Sequence, residues 1–215
     1  MPRSRALRNK FVDAPGSLGE RMRIARWERF RRCFPGIENM SVVDLGGTAE
    51  MWLRAPVRAK RVHLINLEEH PAELPDWITA EVADVTDPTV AAELSARGGY
   101  DLVFSNSTIE HVGGHSQRRK FVSAVEQLAP RHWIQTPYRY FPVEPHFVAP
   151  GFQFLSLIHI HSRPDSPESA MNAVINIELL TRTEMRYLFP GSVLLSERVL
   201  GAPKSLIAVR TEPTC

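Results

Sequence analysis

The sequence predicts an α/β fold built on one doubly wound, mostly parallel sheet with helices on both faces. Two observations predict it. Short apolar runs alternate along the chain with segments of helical spacing, the pattern of parallel strands joined by crossover helices. The chain then ends on two apolar runs separated only by residues 200–204. That link is too short for a parallel crossover, so one strand near the C-terminus must run antiparallel.

The elements follow in order. Residues 1–16 read as a basic, flexible arm ending at Ala14-Pro15-Gly16. Ser17 and Glu20 have the spacing of a capping box, and Ile24, Trp27, Phe30 and Phe34 recur at helical spacing, so a helix is expected over 17–34 until Pro35-Gly36 stops it. Strands are expected at 40–45, 61–67, 77–82, 100–105 and 131–135. Asp87-Pro88 marks a helix start, with an N-cap followed by proline at the first helical position, and opens a helix to about Arg97. A third helix is expected over 116–128, with Phe121, Val125 and Leu128 on one face. Residues 136–178 hold six prolines among aromatics and histidines and read as a loop-rich lid or insertion. Thr181 and Glu184 repeat the capping-box spacing before a helix to about Phe189. The strands 193–199 and 205–209 form the closing hairpin. Residues 17–215 thus read as a single domain.

Composition narrows the class. A hydrophobic share of 43% and a charged share of 23% are ordinary for a soluble globular protein. No run reaches the ~20 apolar residues of a membrane span, and no apolar stretch follows the basic N-terminus, which argues against a secretory signal. Two distant cysteines, Cys33 and Cys215, fit a reduced cytoplasmic protein. Net charge is +2, but residues 1–32 carry ten Lys and Arg against three acidic residues. The ordinary reading is a solvated helix face and a loose arm. The aromatic interleaving of a single-strand nucleic-acid surface is missing, and a nucleic-acid partner is not expected.

In such a sheet a ligand sits beyond the carboxyl ends of the strands. The first strand ends in Asp44-Leu-Gly-Gly-Thr48, where Gly46 and Gly47 let backbone approach a ligand. Asn66 ends the second strand, in the place of a ribose-binding side chain, with Glu68 two residues on. Asp84 follows the third, where a carboxylate can accept from an adenine amino group. His111 follows the fourth and could act as a general base. Glu110 reads either as a substrate contact or as a charge near a helix start. Glu144 and His146, set among prolines, and Tyr138 are candidate acceptor contacts. His159 and His161 form an H-x-H pair that could join His146 on a metal, but no spacing nearby supports a metal site, and none is expected.

Three segments, Val42–Thr48, Ala83–Asp87 and Tyr100–Val112, the last reading YDLVFSNSTIEHV, resemble the class I S-adenosylmethionine-dependent methyltransferases, in particular small-molecule enzymes of that superfamily. The ending at 201–209 is similar to their antiparallel last strand. The resemblance covers roughly 38–135 and 179–210. It implies a Rossmann-like, seven-stranded sheet and S-adenosylmethionine as cofactor, with transfer of its methyl group to O or N of a small molecule. It further implies that Asp44, Gly46, Gly47 and Thr48 meet the methionine end, that Asp84 and Val85 flank the adenine, and that Ser105 and Asn106 line the reaction centre. Two departures stand out. Ala49 and Glu50 follow where a third glycine is usual, and Asn66 stands where an acid is usual. They leave room for a degenerate cofactor-binding domain. A nicotinamide-dependent oxidoreductase fits less well, because Gly46-Gly47 lacks the Gly-x-Gly-x-x-Gly spacing and Pro56 cuts the next helix short.

Overall fold

The computed structural model describes residues 17–71, 73–141, 143–144, 149–150 and 178–211. Its centre is a seven-stranded sheet in the order β3-β2-β1-β4-β5-β9-β8. The strands are β1 (Ser41–Leu45), β2 (Arg61–Asn66), β3 (Ile78–Val82), β4 (Leu102–Asn106), β5 (Arg131–Pro137), β8 (Val193–Val199) and β9 (Ala202–Arg210). Strands β1 to β5 pair in parallel, and β9 runs antiparallel to both β5 and β8. One strand alone therefore opposes the rest, as the short link requires. The link is tighter than the sequence suggests. Residues 202–204 are already strand, leaving Leu200 and Gly201 as the turn, both at positive φ. Strand β5 likewise runs two residues further, through Pro137.

The helices are α1 (Leu18–Cys33), α2 (Ala49–Leu53), α3 (Pro88–Ala96), α4 (His115–Leu128) and α5 (Arg182–Leu188). Caps set their starts. Ser17 Oγ accepts from the Glu20 amide, Asp87 accepts from the Thr89 amide, and Thr181 with Glu184 forms a reciprocal box. Ile24 departs from expectation. It is 47% exposed, because only the later turns of α1, from Trp27 on, lie on the sheet. Between β5 and α5 the described residues include one two-residue pair, β6 (Val143–Glu144) with β7 (Ala149–Pro150). The basic arm 1–16, His146, and the His159/His161 pair lie outside the described residues.

Strand alternation divides the core by side. Val43, Leu45, Val103 and Ile134 face α3, α4 and α5, among Leu94, Phe121, Val125 and Leu188. Val42, Leu102, Phe104 and Trp133 face α1 and α2, among Trp27, Phe30, Phe34 and Trp52. This second layer is aromatic: Trp27 stacks on Phe104 at 5.5 Å, and Trp52 meets both edge-on. Offset and edge contacts of this kind add to the area that the rings bury. Among the described residues no helix is long and apolar enough to cross a membrane.

Candidate active site

The chain reverses its winding direction at β1, which has β2 on one side and β4 on the other. A crevice is expected there, outside the carboxyl ends of the strands. A cleft of about 410 Å³ opens at that edge, lined by the residues that follow four successive strands. Gly46 comes from β1, Asn66, Leu67 and Glu68 from β2, Asp84 and Val85 from β3, and Thr108, His111 and Val112 from β4. Its volume lies within the ~300–1,000 Å³ range of small-molecule sites. Six of the sequence-predicted residues thus meet in one cleft: Gly46, Asn66, Glu68, Asp84, Val85 and His111.

Local structure explains how each is held. Asn66 works as a staple. Its Nδ2 donates to the Gly47 carbonyl at 3.1 Å, and its Oδ1 accepts from the Leu67 amide at 2.7 Å. The amide thus joins the loops after β1 and β2. Asp84 Oδ1 accepts from both the amide and the hydroxyl of Thr86, an Asx turn that fixes the carboxylate at the β3 end. Glu68 is exposed and is the acidic side chain that β2 contributes to the cleft. His111 sits on the turn after β4, its amide bonded to the Thr108 carbonyl.

The other predicted residues lie elsewhere. Asp44 is fully buried on the aromatic side of the sheet, where Trp52 Nε1 donates to its Oδ2 at 2.7 Å. Its second oxygen is buried without a hydrogen-bond partner. Burial pushes the carboxyl up from 3.8 to about 7, against the lowering effect of the indole bond. Gly47 packs onto that carboxylate, and a Cβ there would come 1.8 Å from Asp44 Oδ2. Gly46 has φ +80°, and a Cβ on it would meet Thr108 Oγ1 at 2.3 Å. Both glycines therefore admit the protein's own side chains, and Gly46 still borders the cleft.

Thr48 does not line the cleft. It precedes α2 as N-cap without a side-chain bond. Ser105 is buried and donates to the Leu45 carbonyl at 2.8 Å. Asn106 points to the opposite side of β4, where its Oδ1 accepts from Arg26 Nη1 at 2.7 Å. Glu110 is buried and accepts from Thr136 Oγ1 at 2.9 Å. Ser105, Asn106 and Glu110 are thus each engaged in a hydrogen bond within the protein. Tyr138 follows β5, bridges to Leu180 and packs edge-on against Tyr140. Glu144 is in β6.

Three site residues escape the sequence reading. Thr108, which closes over Gly46, and Val112, an apolar wall, both lie inside the YDLVFSNSTIEHV segment, so position alone could have nominated them. Trp52 lies in the 49–52 stretch that replaces a third glycine. A tryptophan four residues after Thr48 signals that the loop is capped by a side chain.

A likeness to solved structures matches this geometry. Magnesium protoporphyrin IX methyltransferase from Synechocystis PCC 6803, with bound S-adenosylhomocysteine, is 13% identical, with 90% of this chain and 84% of that one covered at a TM-score of 0.58. The 1,6-didemethyltoxoflavin-N1-methyltransferase of Burkholderia thailandensis is also 13% identical, covering 88% and 78% at 0.52. A protein from Rhodobacter sphaeroides assigned by name to the Zn-dependent alcohol dehydrogenases is 11% identical, covering 86% and 87% at 0.57. No protein-family model matches the chain, and no curated protein matches it. The chain has the class I S-adenosylmethionine-dependent methyltransferase fold. At these identities the likeness establishes the fold, and activity rests on the site. Among the described residues, no group of three His, Cys, Asp or Glu is placed to hold a metal ion.

Proposed function

We propose that this protein binds S-adenosylmethionine in the cleft beyond β1 to β4 and catalyses methyl transfer to O or N of a small molecule. The observation that carries the reading is convergence: Gly46, Glu68, Asp84 and Val85, from three separate strand ends, border one space. Each group suits one part of an adenosyl ligand. The Glu68 carboxylate can accept from ribose hydroxyls, taking the role that Asn66 is too engaged to fill. Asp84 can accept from the adenine amino group, and Leu67, Val85 and Val112 supply an apolar slot for the ring. Gly46 offers backbone at the methionine end.

The sulfonium, when bound, supplies an activated methyl group and leaves as a neutral thioether. The protein's own work is to hold donor and acceptor in line and to exclude water. His111 borders the cleft and is the group placed to take the proton released by a hydroxyl or ammonium acceptor. Tyr138, Glu144 and His146 belong to the acceptor side in this reading, with 136–178 as its cover. A cytoplasmic setting goes with it.

A second reading, cofactor binding without turnover, draws support from the closed methionine end, where Thr108 abuts Gly46 and Gly47 packs on Asp44. Calorimetry with S-adenosylhomocysteine tests both. Binding is expected for the wild type and should weaken about tenfold in Glu68→Gln, the scale of one charge-assisted hydrogen bond. Undetectable binding by the wild type would remove both readings. Binding without turnover on any acceptor would leave the second.

A further inference from the structure

The turn that follows β4 has two working faces. Ser107, Thr108, His111 and Val112 line the cleft. Ile109 and Glu110, between them, do not line it and are fully buried. Ser107 starts the turn at φ +59°, in the left-handed region that a residue with a Cβ seldom adopts. Two bonds to one residue of β5 hold it there. Its amide donates to the Gln135 carbonyl at 3.0 Å, and its hydroxyl donates to Gln135 Oε1 at 3.1 Å. Strain of this kind persists only where the surroundings over-determine it, and it gives the turn a second, relaxed form to fall into.

Glu110 fastens this turn to both ends of the acceptor-side segment. Its Oε2 accepts from Thr136 Oγ1 at 2.9 Å, where the chain leaves the sheet along β5. Its carbonyl accepts from the Glu178 amide at 2.9 Å, where the chain returns. Arg118 of α4 backs the return, with Nη2 on the Glu178 carbonyl at 2.7 Å and on its Oε2 at 2.8 Å. The two ends are also bonded to each other, through the Tyr138–Leu180 bridge and the Arg139 amide on the Leu180 carbonyl at 3.0 Å. One short turn therefore carries the wall of the cleft on four residues and the moorings of the acceptor-side segment on a fifth. A buried carboxyl is costly to keep unless its bonds are kept with it, so the turn and both ends hold their places together.

We propose that Glu110 is a positioning residue that couples the cleft to the acceptor-side segment, so that a filled cleft secures residues 136–139 and 178–180. A ligand shifts an equilibrium only as far as it binds one form better than the other. A ligand in the cleft meets Ser107, Thr108 and His111 in the form that the Gln135 bonds define. Glu110 passes that preference on to Thr136 and Glu178. Linkage makes the effect mutual: securing the two ends tightens the cleft's ligand by the same factor. The order of events that follows is cofactor first, acceptor second. Taking the ligand for the cofactor, and these ends for the acceptor side, rests on the transferase reading.

The test uses the full chain with S-adenosylhomocysteine and reads hydrogen exchange at single amides by NMR, with binding measured by calorimetry on the same samples. The Glu178 and Arg139 amides report the two ends. The Arg97 amide, bonded to the Glu93 carbonyl at the end of α3, is the reference that removes general stabilisation by a bound ligand. In the wild type, saturating ligand should slow exchange at Glu178 and Arg139 at least about fivefold relative to Arg97, the lower end of ordinary couplings. Thr136→Val, which takes the hydroxyl away from Glu110, should lose that slowing and still bind the ligand. Thr136→Ser, which restores a hydroxyl, should regain it. A brace that is merely structural would speed exchange in Thr136→Val equally with and without ligand. Binding with no slowing in the wild type, or slowing that survives in Thr136→Val, overturns the coupling and leaves the transferase reading standing. No binding sinks that reading and the coupling with it. If Thr136→Val fails to fold, the wild-type comparison decides alone.

Discussion

The carboxyl edge of the sheet is open over β2 and β3 and closed over the junction of β1 with α2. On the open half, Glu68 and Asp84 stand at strand ends with apolar neighbours and a cleft between them. On the closed half, Asp44 is sealed beneath Trp52 and Gly47, and Arg26 holds Asn106 and Glu197. Residues of the same chemical types, acids and amides at strand ends, border an open cleft in one place and are taken up by internal bonding in the other. What divides them is parity along the strand and what covers each face: the α1–α2 layer packs against every second residue of β1 and β4.

The contrast can be broken at its most buried point. Trp52→Ala empties the centre of the aromatic layer and leaves Asp44 with no donor. It should cost about 3–5 kcal/mol of stability in urea unfolding. A loss below about 1 kcal/mol would mean that the closed half is not packed as described. Asp44→Asn sharpens the same point through pH. The carboxyl is raised from 3.8 to about 7, so its contribution is fully present below about pH 4 and declines as pH rises to about 7. The variant keeps an acceptor for Trp52 and carries no charge. It should therefore gain on the wild type by up to ~4 kcal/mol between pH 4 and 8, seen as a flatter dependence of Tm on pH. Parallel curves would disprove the burial argument. Arg26→Met comes next. It strands Glu197, and because the pair reaches solvent at its edge the cost falls below that of a fully buried pair, at about 2 kcal/mol. A neutral result would show that the tie between α1 and β8 is dispensable.

The sequence reading reached further on the open half than on the closed one, and the reason is physical. Strand alternation, caps and the short hairpin link are local signals, and they located all seven strands of the sheet within about three residues. Asn66, Asp84 and His111 were placed at strand ends by counting, and the cleft gathers them. Counting could not show that the Asn66 amide is already spent on Gly47 and Leu67, because those bonds depend on how two loops approach each other. Alternation could have separated Ser105 from Asn106, since neighbours in a strand face opposite sides. The partner of Asn106, eighty residues earlier on α1, is a tertiary fact with no local mark. The Gly46-Gly47 pair read as room for a ligand. The room is largely taken by Thr108 and Asp44, a choice that composition alone does not distinguish.

The strand order carries one further consequence, for synthesis of the chain. Strand β9 lies between β5 and β8 and is made after both. Until residues 202–210 have left the ribosome, β8 has no partner and β5 presents an unpaired, apolar edge. A nascent chain paused before that point carries an open flank prone to pairing with other chains. Chaperone binding, or slow translation just upstream, would therefore act on this last strand more than on any other part of the sheet.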